Sequence, residues 1–402
     1  MKIAWKECLL GDCVTLQSGG TPSKQNPAYW NGNIPWVSCK DMKTNRLHDA
    51  EDHLTPEGAK NGTRTVRPGT ILIVVRGMIL AKDFPVAIAQ RELAFNQDLK
   101  SVTCTQDIDR DFLYYWLIGN KYEIKGIVDE AAHGTSRIQT DRLLSLKFSY
   151  PSLPTQRKIA GILSAYDDLI ENNQRRIKIL EEMAQSLYRE WFVHFRFPGH
   201  ESARFTASPL GQIPAGWEVK KLGELAEVNA ESIRASNAPE EIQYIDIASV
   251  STGAIDNIEL MRFEAAPSRA RRVVRHGDII WSTVRPNRRS FSLIIDPEDN
   301  VIASTGFAVL TARSVPWSYL YQATTTDDFT SYLVNHASGA AYPAVNSGIF
   351  ENADVLVPTA DLLTRFNAMA KANQLLQHKL QRRNQTLRRT RDLLLPKLLS
   401  PV

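Results

Sequence analysis

The sequence predicts an α+β protein in which two similar mixed domains are separated by two long helices that pair as an antiparallel coiled coil. The first observation is a helical pattern, since apolar side chains recur at steps of three and four residues over 155–192 and over 362–399. Matching positions in the two segments differ by a constant 207 residues. The second observation is that short motifs upstream of each segment also recur, which indicates an internal duplication.

The predicted boundaries follow this duplication along the chain. The first domain covers residues 1–152, and the first helix covers residues 153–197. Residues 198–216 are rich in proline and glycine and are expected to form a linker. The second domain covers residues 217–358, and the second helix covers residues 359–402.

The repeated motifs predict equivalent turns and strands in the two domains. Each domain has a glycine turn before an apolar run, which is typical of a turn that leads into a buried strand. Each domain also ends with a short apolar strand and a proline. The matched segments are 5–12 with 217–224, 67–72 with 275–280, 94–99 with 302–307, 133–137 with 338–342, and 148–151 with 355–358.

The two helices have the pattern of a spacer. A helix of about 36 residues is about 54 Å long. Asn173 and Asn373 occupy otherwise apolar positions of the seam. A polar seam residue can fix the register of a coiled coil at a cost in stability, or it can be tolerated where the seam is frayed. The second helix is strongly basic, which suits a solvated face, the DNA backbone or an acidic partner.

Catalytic motifs are missing from the sequence. It has no phosphate-binding loop, no glycine-rich cofactor fingerprint and no methyltransferase tetrapeptide. His48 and His53 lack a spacing typical of zinc sites. Asp83 with 98–100 loosely resembles a nuclease site, but the second domain has Gly306 at the position matching Asp98. We therefore expect no catalytic residue, no metal and no cofactor, and no apolar run is long enough for a membrane span.

Arginine, lysine and aromatic residues in loop-like stretches predict DNA binding. A planar guanidinium can bind a phosphate or the O6/N7 edge of guanine through two hydrogen bonds. A solvated surface remains the alternative for any single arginine, because the net charge is only +4. The candidate DNA-binding residues are Lys24, Lys40, Lys43, Arg76, Thr135, Ser136, Arg137, Arg269, Arg271, Arg272, Arg285, Arg288, Arg289 and Tyr342.

Several motifs make the chain similar to the specificity subunits of type I restriction–modification systems. The resemblance covers essentially the whole chain and is most specific in the central region. One departure is 363–366 (LTRF), a poor copy of 156–159 (QRKI). The segments that carry the resemblance are 153–163 (LPTQRKIAGIL), 168–173 (DLIENN), 187–193 (LYREWFV), 19–22 (GGTP), 34–37 (IPWV) and 216–219 (GWEV).

This resemblance implies a non-catalytic cytoplasmic subunit that recognises double-stranded DNA. Each domain would read one half of a bipartite, asymmetric site, and the helices would set the gap between the halves. The helices would also dock two methyltransferase subunits, which use S-adenosylmethionine, and through them restriction subunits that use ATP. The aromatic cluster of Trp191, Phe192, Phe195 and Phe197 is expected to be exposed. The expected partner-binding residues are Gln156, Arg157, Ile159, Trp191, Phe192 and Phe366.

Three alternative functions remain open at this point. The chain could be the DNA-recognition subunit of a related restriction–modification type with a similar layout. It could be a nuclease or methyltransferase that acts alone, which would show activity without partners. It could also be a scaffold that binds non-DNA ligands, and steeply salt-dependent binding to random DNA would argue against that function.

Overall fold

Two compact units make up the chain. The computed structural model describes residues 4–130 and 135–401. Unit 1 comprises Met1–Asn172 and Asn384–Val402, and unit 2 comprises Asn173–Arg383. The division falls inside both long helices, so each unit contains one sheet domain and a part of each helix.

Unit 1 is built from short strands and helices. Its strands are β1 (Lys6–Leu9), β2 (Val14–Ser18), β3 (Trp30–Val37), β4 (Arg46–Leu47), β5 (Asp52–Leu54), β6 (Arg64–Val66), β7 (Ile71–Val74), β8 (Val86–Ala89), β9 (Leu93–Phe95), β10 (Leu99–Cys104), β11 (Val128–Glu130), β12 (Ser136–Ile138) and β13 (Lys147–Tyr150). Its helices are α1 (Leu10–Cys13), α2 (Pro56–Lys60), α3 (Arg110–Gly119), α4 (Lys121–Gly126) and α5 (Thr140–Leu144), and the long helix α6 (Leu153–Tyr188) begins here.

Unit 2 has a closely matching set of elements. Its strands are β14 (Phe205–Ser208), β15 (Gly211–Pro214), β16 (Glu218–Lys221), β17 (Ala226–Val228), β18 (Glu241–Ile245), β19 (Val250–Ser251), β20 (Ala254–Ile255), β21 (Glu259–Arg262), β22 (Ala270–Val273), β23 (Ile279–Ser282), β24 (Phe291–Leu293), β25 (Val301–Ser304), β26 (Phe307–Ala312) and β27 (Asp354–Val357). Its helices are α7 (Leu222–Leu225), α8 (Trp317–Thr324), α9 (Asp327–Asn335), α10 (Ser347–Glu351) and the first part of α11 (Ala360–Leu399).

The sheets confirm the predicted duplication. Unit 1 contains a sheet in the order β2-β10-β7-β8-β4 and a second in the order β5-β3-β9-β6. Unit 2 contains the corresponding orders β17-β26-β23-β24 and β21-β18-β25-β22. The parallel pair β3–β9 recurs as β18–β25, and the closing pair β1–β13 recurs as β16–β27. Gly69 and Gly277, in the predicted turns before β7 and β23, share a φ of 89°, a conformation that favours glycine.

The long helices run antiparallel within each unit. In unit 1, Asp167 of α6 contacts Arg391 of α11, and Asn384 donates its side-chain N–H to the Ile170 carbonyl at 3.2 Å. Partner numbers fall along α11 as they rise along α6, which defines an antiparallel pair. In unit 2, the α11 residue Phe366 packs against the C-terminal end of α6. The predicted α+β class with paired long helices is therefore confirmed.

Most predicted seam positions of α6 are buried or half-buried, but near residues 162–170 the buried stripe is offset by one residue from the prediction. Ile162 and Leu169 are predicted seam residues but are 39% and 44% exposed, whereas Leu163 and Ile170 are buried. The reason is that the helices also pack on the sheet domains, so core contacts widen and rotate the apolar face. Of the two asparagines predicted in the seam, Asn173 is buried.

Asn373, the other asparagine predicted in the seam, is half-buried. The fully buried polar residues of α11 are Gln374 and Asn384, each 3% exposed. Whether any of them fixes the register stays a prediction.

The predicted linker is partly regular structure. Strands β14 and β15, both inside residues 198–216, form an antiparallel hairpin. Phe197, just before it, is buried in the core of unit 2. None of the described helices contains an 18-residue window apolar enough to cross a lipid bilayer.

Candidate nucleic-acid interface

In unit 1, the loop after β7 is fastened to β12 by its backbone. The N–H of Gly77 donates to the Ser136 carbonyl at 2.9 Å, and Arg76 lies opposite Arg137 in an isolated β-bridge. Gly77 has a φ of 145°, and a Cβ there would lie 3.3 Å from the Cys39 sulfur. Glycine at this position therefore allows the chain to leave β7 in a direction that other residues rarely adopt.

Unit 2 repeats this arrangement after β23. The N–H of Arg285 donates to the Pro343 carbonyl at 2.7 Å, and Val284 lies opposite Ala344 in an isolated bridge. Arg285 has a φ of 52°, so the left-handed residue of this turn carries a side chain. Its guanidinium lies 4.5 Å from the ring centroid of Tyr342, a cation–π contact that orients both groups.

These two arrangements, which we call the strand-end clamps, are equivalent bond by bond. Ile138 donates to the Val75 carbonyl in unit 1, and Val345 donates to the Thr283 carbonyl in unit 2, both at 2.9 Å. The predicted match of 135–137 with 340–342 is therefore wrong by two residues, since Ser136 corresponds to Pro343. Repeats of unequal loop length explain the shift. The predicted residues 133 and 134 lie outside the described part of the chain.

The guanidinium of Arg76, beside the unit 1 clamp, is exposed although charged and polar groups lie near it. The Arg76 side chain is 62% exposed, and its Nε lies 3.9 Å from an Asp98 carboxylate oxygen. The Cys39 thiol donates to the Arg76 carbonyl at 3.2 Å. Burial, together with the nearby Asp98 charge, raises the pKa of Cys39 to about 11, so the thiol stays neutral at pH 7. A distance of 3.9 Å at this exposure leaves Arg76 able to turn towards a phosphate.

Comparisons with known proteins identify the family. Residues 2–182 match the family model described as "Type I restriction modification DNA specificity domain". The MjaIX specificity subunit of Methanocaldococcus jannaschii is 26% identical over 410 residues, covering 98% of this chain and 92% of that protein. Residues 2–182 belong to the family of type I restriction–modification DNA specificity domains, and the chain is similar to type I specificity subunits over nearly its whole length. Proteins of this family recognise DNA sequence.

Two further relatives agree with this assignment. The EcoR124I/EcoR124II specificity subunit of Escherichia coli is 30% identical over 204 residues, half of each chain. The crystal structure of the type I S subunit from M. genitalium superposes with a TM-score of 0.64 at 16% identity, covering all of this chain and 97% of that one. The likeness to that S subunit shows that the fold is shared.

Four of the predicted DNA-binding cations of this chain are exposed and have no ion pair within residues 4–130 and 135–401. Two of them, Arg137 and Arg288, belong to the strand-end clamps or follow them directly. The other two lie in turns of unit 1, outside the strand-end clamp. The four residues are Lys24, Lys43, Arg137 and Arg288.

Three other predicted cations already have carboxylate partners. Lys40 lies 3.1 Å from Glu51 and 3.0 Å from Asp52, and these two carboxylates raise its pKa. Arg269 contacts Asp246 at 2.7 Å. The third, Arg289, pairs with an aspartate of α9 and donates to the Thr325 carbonyl at 2.8 Å. A DNA phosphate would have to compete with these acids, so such cations contribute less to affinity.

The remaining predicted residues are packed to different extents. Arg271 lies 4.9 Å above the Phe263 ring, and Arg272 donates to Ser232 at 3.2 Å. Burial without an acidic partner lowers the pKa of Arg272. Ser136 is 2% exposed, so its side chain cannot reach DNA in this conformation, and Thr135 is half-buried. Ser136 acts through its backbone carbonyl in the clamp.

The expectation that the aromatic residues at the end of α6 are exposed is wrong. Trp191, Phe192 and Phe197 belong to the core of unit 2, and Phe366 is fully buried among them. Adjacent aromatic residues pack together here because α8 covers this end of α6. Direct partner contact through these side chains has no support in this conformation.

The helix-start motif is also mostly internal. Gln156 is fully buried, accepts the Asp109 N–H at 2.8 Å and donates to the Asp107 and Pro151 carbonyls. It thereby ties the first turn of α6 to the start of α3. Ile159 is 6% exposed in the core of unit 1. Arg157 is the exposed member of the predicted partner set, 3.8 Å from a carboxylate oxygen of Asp109.

Sequence reasoning missed the tips of the strand-end clamps. Met78 is 75% exposed and Ile79 is 37% exposed, directly after Gly77. An apolar pair that follows a glycine is the signal in the sequence that could have indicated these tips. Within the described residues, no group of three His, Cys, Asp or Glu side chains could hold a metal ion.

Removing a clamp arginine is expected to weaken DNA binding without unfolding the protein. Arg137→Ala or Arg285→Ala should lower affinity for duplex DNA several-fold and reduce the salt slope of log K by about one, because each removes one phosphate-directed charge. Titrations at several salt concentrations would measure this. Arg67→Ala, an exposed arginine before β7, is the matched control. Unchanged affinity and slope for both variants would contradict the choice of these residues.

Proposed function

We propose that this chain is the non-catalytic DNA-recognition subunit of a type I restriction–modification complex that reads a bipartite, asymmetric sequence. Each unit would read one half-site. Two methyltransferase subunits would dock on the chain and carry out the modification, and restriction subunits would join through them. Such a complex would work on chromosomal and invading DNA, so we place the chain in the cytoplasm as part of the same proposal.

The observation that supports a bipartite, asymmetric site is one backbone frame with two different surfaces. The strand-end clamps share their hydrogen bonds, yet unit 1 has Gly77 and Met78 where unit 2 has Arg285 and Pro286. The two units retain the same backbone hydrogen bonds but carry different side chains at equivalent positions. This combination suits two domains that recognise two different DNA sequences. A repeat that served one symmetric ligand would be expected to present the same groups twice.

General physics assigns different roles to these groups. Lysine and arginine contacts with phosphates give affinity and its salt dependence, while a few contacts with base edges give sequence preference. The exposed cations Lys24, Lys43 and Arg137 suit the first role. Binding to phosphates and base edges requires no catalytic side chain in this chain. Catalysis would be supplied by the methyltransferase partners.

Exposed apolar positions on the long helices support docking of two partners. In unit 1, Ile162 and Leu169 are exposed one heptad apart on α6. In unit 2, Met369 and Leu376 occupy the positions 207 residues later on α11 and are 41% and 37% exposed. Exposed apolar patches on otherwise polar helices mark protein contacts. The recurrence favours two similar docking sites, with Arg157 beside the first helix start.

The methylome of a host provides the direct test. Expressing the chain with its modification subunit should create a methylated split motif with an unmethylated, nonspecific gap of several base pairs, read by single-molecule sequencing. Exchanging residues 1–152 for the domain of another specificity subunit should change one half of the motif only. A change in both halves would contradict the assignment of one half-site per unit.

A related restriction–modification type is the second candidate, because a similar duplicated layout could serve it. A host that carries the chain with a type I modification subunit separates the two, since only a type I recognition subunit should direct methylation by that subunit. A type I subunit requires a separate modification subunit for methylation, so expression of the chain alone should leave the genome unmethylated. Methylation by the chain alone would instead favour a self-contained enzyme.

A further inference from the structure

Each strand-end clamp is followed by a short 3-10 turn, and the exposed side chains of the two turns differ in polarity. The turn in unit 1 is Met78–Ala81, and the turn in unit 2 is Pro286–Arg288. Gly77 and Arg285 are equivalent through their clamp bonds, so Met78 matches Pro286, Ile79 matches Asn287, and Leu80 matches Arg288. These turns, which we call the clamp tips, project from the same point of the same frame.

The tip of unit 1 is apolar and exposed. Met78 is 75% exposed and Ile79 is 37% exposed, while Leu80 is 1% exposed and anchors the turn in the core. The neighbouring Arg76 and Arg137 are exposed cations. A large apolar side chain that stays in water adds nothing to the stability of the isolated chain. Its position suits contact with an apolar group on a polyanion.

The tip of unit 2 is polar and held rigidly. Asn287 and Arg288 are exposed, and Pro286 is buried. Arg285 and Arg289 on either side are both left-handed, with φ of 52° and 54°. Backbone bonds of 3.0 Å from Arg289 to Pro286 and 2.9 Å from Arg288 to Arg285 close the turn.

Arg289 is further held by its bond to the Thr325 carbonyl at 2.8 Å. Among the described residues, the guanidinium of Arg288 has no side-chain or carbonyl partner. A rigid turn that presents one guanidinium without a partner leaves the donors of that guanidinium open to a planar acceptor pair.

Resting on the proposed DNA-recognition function, we propose that the clamp tips are the base-reading elements of the two units. Met78 and Ile79 contact thymine methyl groups in one half-site, and Arg288 binds the O6/N7 edge of a guanine in the other. The methyl group is the apolar feature of the major groove, and the O6/N7 pair of guanine is the preferred acceptor pair for arginine.

Replacing thymine with uracil tests the unit 1 tip, because only the methyl group is lost. After the methylome has given the target, duplexes with uracil at each thymine of the unit 1 half-site are titrated with the chain and its modification subunit. Affinity should fall about fourfold at one position, as expected for one buried methyl-sized group. Met78→Ala should lower affinity similarly and lose the sensitivity to uracil at that position.

Arg288→Gln tests the unit 2 tip, because glutamine pairs with adenine as arginine pairs with guanine. The variant should shift one guanine of the unit 2 half-site towards adenine, with a 10- to 100-fold change in relative affinity. Arg262→Gln, at an exposed arginine of β21, is the control and should leave the sequence preference unchanged. Both tip residues are exposed, so thermal unfolding midpoints should match that of the parent chain.

The outcomes separate the two levels of the proposal. No sequence-specific methylation or binding by the parent complex would overturn the proposed function itself. A clear bipartite motif that is unchanged by Arg288→Gln, together with uracil effects that persist in Met78→Ala, would overturn the assignment of the clamp tips. Effects in the half-site opposite to the one assigned by domain exchange would overturn it as well.

Discussion

Phe366→Ala is expected to destabilise unit 2 by about 4 kcal/mol, the usual cost of removing a buried phenylalanine. Phe366 is fully buried, with ring centroids of Phe192 at 5.0 Å, Tyr319 at 6.0 Å and Trp191 at 6.2 Å. Removing one ring leaves a cavity whose aromatic walls cannot collapse easily. The measurement is the chemical denaturation of the purified chain, followed by tryptophan fluorescence.

The matched control for this variant is Met369→Ala, three residues along α11. Met369 is 41% exposed, so its replacement should change the unfolding midpoint little. It should weaken binding of the methyltransferase subunit instead. A stable Phe366→Ala protein that selectively loses the partner would reverse this interpretation and restore Phe366 as a docking residue.

Asp167→Asn is expected to lower the stability of unit 1 by about 2 kcal/mol, because the mostly buried Arg391 guanidinium then keeps only the exposed carboxylate of Asp392. Arg391 contacts Asp167 at 2.5 Å, with the two side chains 15% and 10% exposed. The Tyr115 hydroxyl donates to the same carboxylate at 2.7 Å. Burial opposes the charge on Arg391, but Asp167 and Asp392 keep its pKa above the ordinary value.

Two comparisons make this prediction specific. Asp361→Asn removes an exposed partner of Arg365 and should cost well under 1 kcal/mol. The double variant Asp167→Leu with Arg391→Met should recover much of the loss, because an apolar pair avoids burying an unpaired charge. Thermal and denaturant unfolding of the four proteins would measure both effects. Equal stability of Asp167→Asn and Asp361→Asn would show that the pair is unimportant.

The duplication and the element types were accessible from sequence because they depend on local signals. The glycine turns at Gly69 and Gly277 and the final strands before each proline follow from backbone preferences of nearby residues. The long helices follow from apolar spacing at steps of three and four. Each of these signals consists of the order and spacing of residues along the chain, so no tertiary contact is needed to interpret it.

Site residues were harder to predict because exposure depends on distant segments. Trp191 and Phe192 look like a surface cluster in the sequence, yet Tyr319 and Phe366 cover them. Lys40 and Arg269 look like free cations, yet they pair with acids from neighbouring strands and loops. Met78 looks like a core residue, yet Gly77 turns it into solvent.

The sequence by itself determined the two-fold repeat, the mixed domains, the paired long helices and the family of specificity subunits. These features depend on periodicity and motif order, which can be recognised in a sequence without knowledge of packing. Only the tertiary structure decided which face of each helix is buried, which cations are free, and that the clamp tips differ in chemistry. Those properties arise from contacts between residues far apart in the chain, and a shift of one residue in packing changes which side chains reach solvent.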